Sequence, residues 1–368
     1  MSDTPGVHGS LRAAAVFVAA WLIGAGSAQA QSCAVKGDFN DSHLHMTNYI
    51  QEGVTPAKLL EIMGDRVPRA TLFGIPLQQL WSNTLTGDLA PTYYLDSDAP
   101  LYYYSFTDAV IATAYLALRP AERARFDPMI TGFNPADMYA ADHVRRVLKT
   151  FPGVFEGIGE FSIHKEFVSS KIAGGPASLT DPALDRLLDF AGEVGLVAIF
   201  HNDIVMPFTK RDKERAYFVQ AKAALARHPN TVIIWAHTGL GRVVQPPSQH
   251  LAFLEEILSD PGLKNVYFDI SWDEVAKYIV RDDRTIAAAA GLINRYPDRF
   301  LFGTDWVAPT DPGKYFSLYQ TYQPLFAKLT PEASGDLRLC NYQRLFDRAR
   351  VKVRAWEAAN QSPATGAP

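Results

Sequence analysis

Residues 181–201 read Asp-Pro-Ala-Leu-Asp-Arg-Leu-Leu-Asp-Phe-Ala-Gly-Glu-Val-Gly-Leu-Val-Ala-Ile-Phe-His, and they contain one complete structural unit of the chain. Asp181 before Pro182 is typical of a helix start, because an aspartate caps free backbone amides and proline suits the first helical position. Apolar residues then recur at helical spacing, and Gly192 or Gly195 can end the helix. The apolar run that follows is typical of a strand buried on both faces. The stretch therefore predicts a helix followed by a parallel strand.

Short apolar runs alternate in this way with longer amphipathic stretches along the chain from Phe39 onward. Such alternation indicates a parallel sheet whose strands are joined by helices. The predicted strands cover residues 39–46, 70–77, 129–133, 154–163, 196–201, 231–237, 265–270 and 300–305. Eight strands with eight helices predict an α/β fold of the (β/α)8 TIM-barrel type. A doubly wound open sheet is the alternative.

Further helix starts are marked by a capping residue before a proline, at Thr55-Pro56, Asn134-Pro135, Asp311-Pro312 and Thr330-Pro331. Residues 81–105, rich in Tyr, Asp, Pro and Thr, are too numerous for an ordinary loop. They follow the second strand, where barrel loops reach over the active-site face. We therefore expect a TIM barrel with an insertion after the second strand.

The first thirty residues are expected to be a signal peptide rather than part of the fold. Arg12 precedes an apolar run over residues 13–25, and Ala28-Gln29-Ala30 is a small-x-small cleavage site. A membrane anchor and a lipoprotein at Cys33 are the weaker alternatives. Residues 31–360 then form a single barrel domain and residues 361–368 a disordered tail. We expect the mature protein to be exported, either periplasmic or secreted.

Composition and charge exclude some partners. The formal net charge is −4 and no cluster of Lys and Arg stands out, so neither nucleic acid nor an anionic membrane is an expected partner. A small-molecule substrate is expected, and a homo-oligomer stays open. The only two cysteines, Cys33 and Cys340, are too few for a cysteine zinc site. Cys33 precedes the first strand and Cys340 lies in the closing region, so a disulfide and two free thiols are both open.

Potential metal ligands lie near the ends of five predicted strands: His43 and His45 on the first, Glu160 on the fourth, His201 on the fifth, His237 on the sixth and Asp305 on the eighth. Side chains two apart in a strand share a face, so His43 and His45 are expected to point into the barrel together. In a barrel the strand ends meet at one mouth. Imidazoles and carboxylates around an open position are typical of a catalytic site for zinc or a similar divalent ion.

The motifs Asp41-Ser42-His43-Leu44-His45, Gly159-Glu160, His201, His237 and Gly303-Thr304-Asp305 together resemble the amidohydrolase superfamily. The branch that is most similar is the amidohydrolase-related (amidohydrolase 2) group, which includes aminocarboxymuconate semialdehyde decarboxylase. The resemblance runs from Phe39 to about Phe346, where residues 341–346 resemble the closing helix of the group. It implies that His43, His45, His201 and Asp305 bind the metal and that His237 lies beside the reacting group.

Two departures from the family pattern concern the site. Many binuclear members carry a carboxylated lysine at the end of the fourth strand, whereas this chain has Glu160, as in TatD-type deoxyribonucleases, where the glutamate bridges two metals. His237-Thr238-Gly239 also differs from the His-Gly-Gly of many relatives. We expect Glu160 to face the metal, with one or two ions bound. His237 either steadies an oxyanion or binds the second ion.

The leading functional hypothesis is hydrolysis of a carboxylic ester, lactone or amide of a small molecule through a metal-activated water, with Asp305 as the proton shuttle. Lys165 and Arg242, each just beyond a strand end, are candidates to hold a substrate carboxylate. Aromatic residues that are candidates to line the pocket are Trp81, Trp272, Trp306 and Tyr102-Tyr103-Tyr104. A non-oxidative decarboxylase, a TatD-like phosphoesterase and a non-catalytic binding protein are the alternatives.

Overall fold

The computed structural model describes residues 36–48, 52–75, 106–165, 177–206, 215–242 and 246–360, together with Met1, Cys33 and Val244. Contacts along the chain separate Met1–Gln31 from Ser32–Pro368 as two units. Residues 2–30 of the predicted signal peptide, the predicted insertion at 81–105 and the predicted tail at 361–368 lie outside the described residues. No helix in the described part of the chain is both long and apolar enough to cross a membrane.

Parallel strands form the centre of the fold, and each lies within or next to a stretch predicted from the sequence. Seven of them pair in chain order, each with the next, from β2 to β8. The first strand, β1, pairs instead with β9, which comes shortly after β8. The strands are β1 (Leu44–His45), β2 (Ala70–Leu72), β3 (Phe126–Ile130), β4 (Gly157–Ser162), β5 (Val197–His201), β6 (Val232–Trp235), β7 (Val266–Asp269), β8 (Phe300–Leu301) and β9 (Trp306–Val307).

The segment around β1 joins the two edges of the curled seven-stranded sheet. On one side, the amide of Met46 donates to the carbonyl of Phe73 at 2.7 Å, beyond the end of β2. On the other side, the amide of Ser42 donates to the carbonyl of Phe302 at 3.1 Å, just after β8. The regular strand is shorter than the predicted 39–46, because the chain bends at Ser42 and Met46. The fold is therefore the predicted α/β TIM barrel.

Helices alternate with the strands, as the sequence predicts. They are α1 (Pro56–Met63), α2 (Phe106–Leu116), α3 (Pro120–Arg123), α4 (Ala140–Thr150), α5 (Pro182–Val194), α6 (Ala216–Arg227), α7 (His250–Leu258), α8 (Asp273–Ile279), α9 (Asp283–Arg295), α10 (Pro312–Thr321), α11 (Gln323–Phe326), α12 (Pro331–Gly335) and α13 (Asn341–Asn360). Short 3-10 turns cover Ala236–Gly239, Pro261–Leu263 and Pro297–Arg299, and a π-helical turn covers Asp336–Cys340.

Four of the predicted capping residues do cap a helix. The side chains of Thr55, Asp181, Asp311 and Thr330 each accept a hydrogen bond from a backbone amide of the first helical turn. The predicted start at Asn134-Pro135 is wrong. There the Asn134 side chain accepts from the amide of Ala136 at 2.9 Å within a turn, and the helix begins only at Ala140. An asparagine side chain that accepts from the amide two residues later stabilises an isolated turn as well as a helix start. The pattern therefore does not require a helix.

The apolar core has two parts. One lies between the sheet and the surrounding helices. The other fills the inside of the barrel, where strand residues such as Ile199 and Leu301 pack against Tyr342, Leu345 and Phe346 of α13. Arg350 of the same helix pairs with Asp127 at the start of β3 at 2.7 Å. The last helix thus closes the barrel at the N-terminal ends of the strands, opposite the ends that carry the predicted ligands.

Cys33 and Cys340 form a disulfide, with their Cα atoms 5.4 Å apart and 307 positions apart in the sequence. Cys340 lies in the π-helical turn that leads into α13. The bond therefore links the segment before β1 to the segment after β9, as the neighbourhood of first and last elements in a closed barrel suggested. Of the two open outcomes, the disulfide is confirmed.

Candidate metal centre

His43 and His45 lie side by side, with their ring centroids 5.3 Å apart and both rings buried. The Nδ1 atom of His43 lies 3.0 Å from Asp269 Oδ2, and the Nδ1 atom of His45 lies 3.1 Å from the carbonyl oxygen of Gly74. Both partners are acceptors, so each ring carries a proton on Nδ1 and directs Nε2 towards the barrel mouth. Metal-binding histidines in proteins are usually held in this way.

Asp305 completes this corner. Its Oδ1 atom lies 3.3 Å from Nε2 of His43 and 3.1 Å from Nε2 of His45. The residue has a left-handed backbone (φ 56°), held by a hydrogen bond from its amide to the carbonyl of His43 at 2.7 Å. Burial raises the pKa of Asp305, but the positive character of the neighbouring imidazoles outweighs it and leaves the pKa well below its ordinary value. Asp305 is therefore an ionised carboxylate.

Glu160 faces the barrel mouth. Its Oε1 atom accepts from Nδ1 of His201 at 3.0 Å and lies 3.4 Å from Nε2 of His237. Its Oε2 atom lies 3.8 Å from Nζ of Lys165. Burial raises the pKa of Glu160, but Lys165 and the surrounding histidines lower it by more. The pKa is therefore well below its ordinary value. A charged, buried carboxylate of this kind needs a cationic partner.

The preceding Gly159 explains how Glu160 reaches the mouth. The register of β4 against β5 shifts between Ile158 and Phe161, and Gly159 has a φ of +107° in that shift. A Cβ atom at this position would lie 2.0 Å from the carbonyl oxygen of Ile199. Only glycine permits this close approach of β4 to β5. The bulge therefore decides the direction of Glu160, which alternation along a regular strand could not have established.

His201 lies between two carboxylates. Its Nδ1 atom lies 3.0 Å from Glu160 and its Nε2 atom 3.0 Å from Oδ1 of Asp203, so each ring nitrogen faces a carboxylate. Burial and Lys165 lower the pKa of His201, but its hydrogen bonds to Asp203 and Glu160 raise it overall. Asp203, which is fully buried, was not among the predicted site residues. Its place two residues after a strand-end histidine is the sequence signal that could have found it.

His237 lies beyond the end of β6, not inside the predicted strand 231–237. The strand ends at Trp235, and His237 and Thr238 both have left-handed backbones, with φ values of 57° and 52°. The amide of His237 donates to Asp269 Oδ1 at 2.8 Å. His250 donates from Nε2 to the carbonyl of Thr238 at 2.9 Å, which holds the turn from the side of α7. Burial lowers the pKa of His237.

Asp269 was also missed, although it ends β7, which was predicted. Its carboxylate is fully buried and contacts both His43 and the backbone of His237. Burial raises the pKa of Asp269, but the charge of His43 and its hydrogen bond lower it overall. The position of a carboxylate near a strand end identifies Glu160 and Asp305 from the sequence. The same criterion could have found Asp269.

The donor atoms test whether the site fits a cation. Ligand atoms of His43, His45 and Asp305 lie within 4.8 Å of one another, and so do those of a second group, His43, Glu160 and His237. The Nε2 atoms of His43 and His237 are buried and make no hydrogen bond to any residue that the structure describes. Lone pairs and carboxylates that face one another repel unless a positive ion or a proton lies between them. The residues therefore fit a divalent cation, with two overlapping sets of ligands.

The two candidates for binding a substrate carboxylate, Lys165 and Arg242, lie against Trp272. Lys165 Nζ and the guanidinium carbon of Arg242 lie 5.6 and 5.7 Å from the centroid of its indole ring, and the ring of His237 lies at 5.1 Å. The structure thus brings both predicted cations to the mouth of the site. Trp306 lies in β9, half-buried and paired with Leu44. Trp81 and Tyr102-Tyr103-Tyr104 lie outside the described residues.

Comparisons with known proteins bear on the fold and on the family of this chain. None of the curated proteins compared with the sequence matches it. A Pseudomonas putida protein assigned as a 2-pyrone-4,6-dicarboxylic acid hydrolase is similar in structure, at 13% identity and a TM-score of 0.52, over 84% of this chain and 97% of that chain. The 2,6-dihydroxybenzoate decarboxylase from Rhizobium is similar at 14% identity and 0.52, over 85% and 99%. Both similarities concern the fold.

The family assignment comes from the sequence. The family model for amidohydrolases matches residues 41–346, which include His43 and His45 around β1 and the first six residues of α13. One of the similar structures is named as a hydrolase and the other as a decarboxylase, so family membership alone leaves the reaction open. This chain belongs to the amidohydrolase family.

Proposed function

We propose that this protein is an exported, metal-dependent hydrolase that cleaves a carboxylic ester, lactone or amide of a small molecule. The observation that carries the proposal is the convergence of the buried Nε2 atoms of His43, His45 and His237 on the carboxylates of Asp305 and Glu160. The signal-peptide pattern of residues 1–30 and the disulfide suited to an oxidising compartment support export.

His43, His45 and Asp305 would hold one cation, and Glu160 and His237 would contribute to a second. When bound, a divalent ion such as zinc polarises a carbonyl group and lowers the pKa of water. Asp305 has two carboxylate oxygens, of which Oδ1 faces the two histidines of β1. Its other oxygen would accept the proton of the attacking water and pass it to the leaving group.

Lys165 and Arg242 are proposed to hold an anionic group of the substrate. Both lie against the indole of Trp272, which itself lies against His237, so an anion bound between them would place its neighbouring carbon atoms close to the histidines. The Lys165 ammonium and the Arg242 guanidinium supply charge at the mouth, and the guanidinium can bind a carboxylate with two hydrogen bonds.

The test begins with metal analysis of the purified mature protein, followed by a screen of esters, lactones and amides. Turnover that is lost with a chelator and restored by zinc is the expected result. Release of carbon dioxide without addition of water would replace hydrolysis by decarboxylation, and cleavage of phosphodiesters would favour the TatD-like alternative. Absence of bound metal from protein that has retained its fold would refute the proposal.

Glu160 decides the number of ions. Glu160→Gln removes a charge from the second group of ligands and should lower metal stoichiometry and activity together. Glu332→Gln, at an exposed position in α12, is the matched control and should change neither. If Glu160→Gln keeps the wild-type stoichiometry, a single ion held by His43, His45 and Asp305 suffices.

A further inference from the structure

The Nε2 atom of His237, which makes no hydrogen bond within the described part of the chain, lies 3.4 Å from the Oε1 atom of Glu160. Glu160 is an ionised acceptor, so the chemistry of this contact depends on whether Nε2 carries a proton. A protonated Nε2 would be a hydrogen-bond donor and could stabilise an oxyanion. A bare Nε2 would be an electron-pair donor, suited to binding a cation or accepting a proton.

The contacts of the other ring nitrogen, Nδ1, determine whether Nε2 carries the proton. The Nδ1 atom of His237 lies 2.8 Å from Oγ of Ser271, and the same Oγ lies 2.5 Å from Oδ1 of Asp269. Nδ1 is 3.7 Å from Asp269 itself, which is too far for a direct hydrogen bond. Ser271 therefore stands between the imidazole and the carboxylate, and all three residues are buried.

The direction of each hydrogen bond follows from the inventory of donors. Asp269 is an ionised carboxylate and can only accept, so the single hydroxyl proton of Ser271 is donated to Asp269. The Ser271 oxygen then has only lone pairs left for His237. The contact at 2.8 Å is a hydrogen bond only if Nδ1 of His237 donates its proton to Ser271.

We propose that Ser271 and Asp269 are positioning residues that keep the proton of the neutral His237 ring on Nδ1 and leave Nε2 as a lone pair directed into the site. The same Asp269 carboxylate accepts from Nδ1 of His43 and from the backbone amide of His237. One buried acid at the end of β7 thus orients ligand candidates from β1 and from the turn after β6.

The consequence for the proposed function is specific. His237 acts through the Nε2 lone pair, as a cation ligand or a base, and does not donate a hydrogen bond to an oxyanion from its neutral form. This consequence rests on the proposed function, whereas the proton position is a property of the metal-free protein. The two can therefore fail separately.

The test is nitrogen-15 NMR of the histidine rings in metal-free protein at neutral pH, with the His237 signals assigned by their loss in His237→Asn. Wild type should show a protonated Nδ1 and a bare Nε2. Ser271→Ala removes the acceptor and should transfer the proton, wholly or partly, to Nε2, where Glu160 can accept it. Ser271→Thr keeps the hydroxyl and should restore the wild-type pattern.

A protonated Nε2 in wild type, or an unchanged pattern in Ser271→Ala, would overturn the proposal. Circular dichroism and the unfolding midpoint establish that each variant is folded. Zinc affinity, measured by competition with a chelator, should fall about tenfold or more in Ser271→Ala, as expected when a residue that orients a ligand is removed. Ser317→Ala, on the exposed face of α10, is the control and should bind zinc as wild type does.

Discussion

Protonation of His250 should cost the fold a measurable part of its stability in mild acid. The ring is buried and donates from Nε2 to the carbonyl of Thr238. Burial lowers the pKa of His250 from its ordinary value of 6.5 to about 4. Between these two values the unfolded chain binds a proton that the folded chain does not. The stability contributed by the neutral ring is therefore present above pH 6.5 and is lost as the pH falls towards 4.

The size of the effect follows from the two pKa values. A group with these pKa values in the unfolded and the folded state lowers the free energy of unfolding by roughly 2.5 kcal/mol between pH 7.5 and pH 4.5. His250→Gln is the suitable comparison, because a glutamine amide can donate to the Thr238 carbonyl and does not titrate. All other titrating groups are common to both proteins and cancel in the difference.

Urea unfolding of metal-free wild type and His250→Gln at both pH values measures this quantity. We expect the wild type to lose roughly 2.5 kcal/mol more than the variant over this interval. Unfolding curves whose difference changes by less than about 0.5 kcal/mol, the usual spread for neutral substitutions, would show that His250 does not resist protonation. Metal-free protein is used because protonation of the ligands at low pH would also release a cation.

Three other predictions concern catalysis, the helix that closes the barrel and the disulfide. Asp305→Asn should abolish turnover while most of the metal stays bound, since the amide keeps an oxygen for the metal but cannot shuttle a proton; more than a tenth of wild-type activity would exclude that role. Phe346→Ala should lower the free energy of unfolding by about 3–5 kcal/mol in urea, whereas Val351→Ala, exposed on the same helix, should change it by less than about 0.5 kcal/mol. Denatured, unreduced protein should contain no free thiol. Replacing Cys33 and Cys340 with serine should destabilise the fold by about 6 kcal/mol, because the unfolded chain regains the entropy that the closed loop removes.

The fold could be predicted because its local signals agree. Capping residues such as Asp181, the amphipathic face of α5 and the apolar run of β5 all indicate the same unit, and the structure shows that unit. Asn134-Pro135 failed because the same two residues also suit a turn without a helix. Propensity at a single position could not distinguish the two.

The site was predictable to the extent that strand ends converge in a barrel. His43, His45, Glu160 and Asp305 come together because the topology places them there. What the sequence could not supply was the local backbone. His237 and Asp305 have left-handed conformations, which no strand pattern indicates. Hydrogen bonds that depend on such conformations, including the one from the His237 amide to Asp269, could not be predicted from the sequence.

The closure of the barrel also determines the order in which the chain can complete its fold. The segment around β1 must pair with residues 302–307, about 260 positions later in the chain. Until those residues are available, the segment around β1 has an unpaired edge that can pair with other chains. Contacts between residues so far apart form slowly, because a long loop must close first. A nascent chain of this protein therefore stays incompletely folded until nearly all of it has been synthesised.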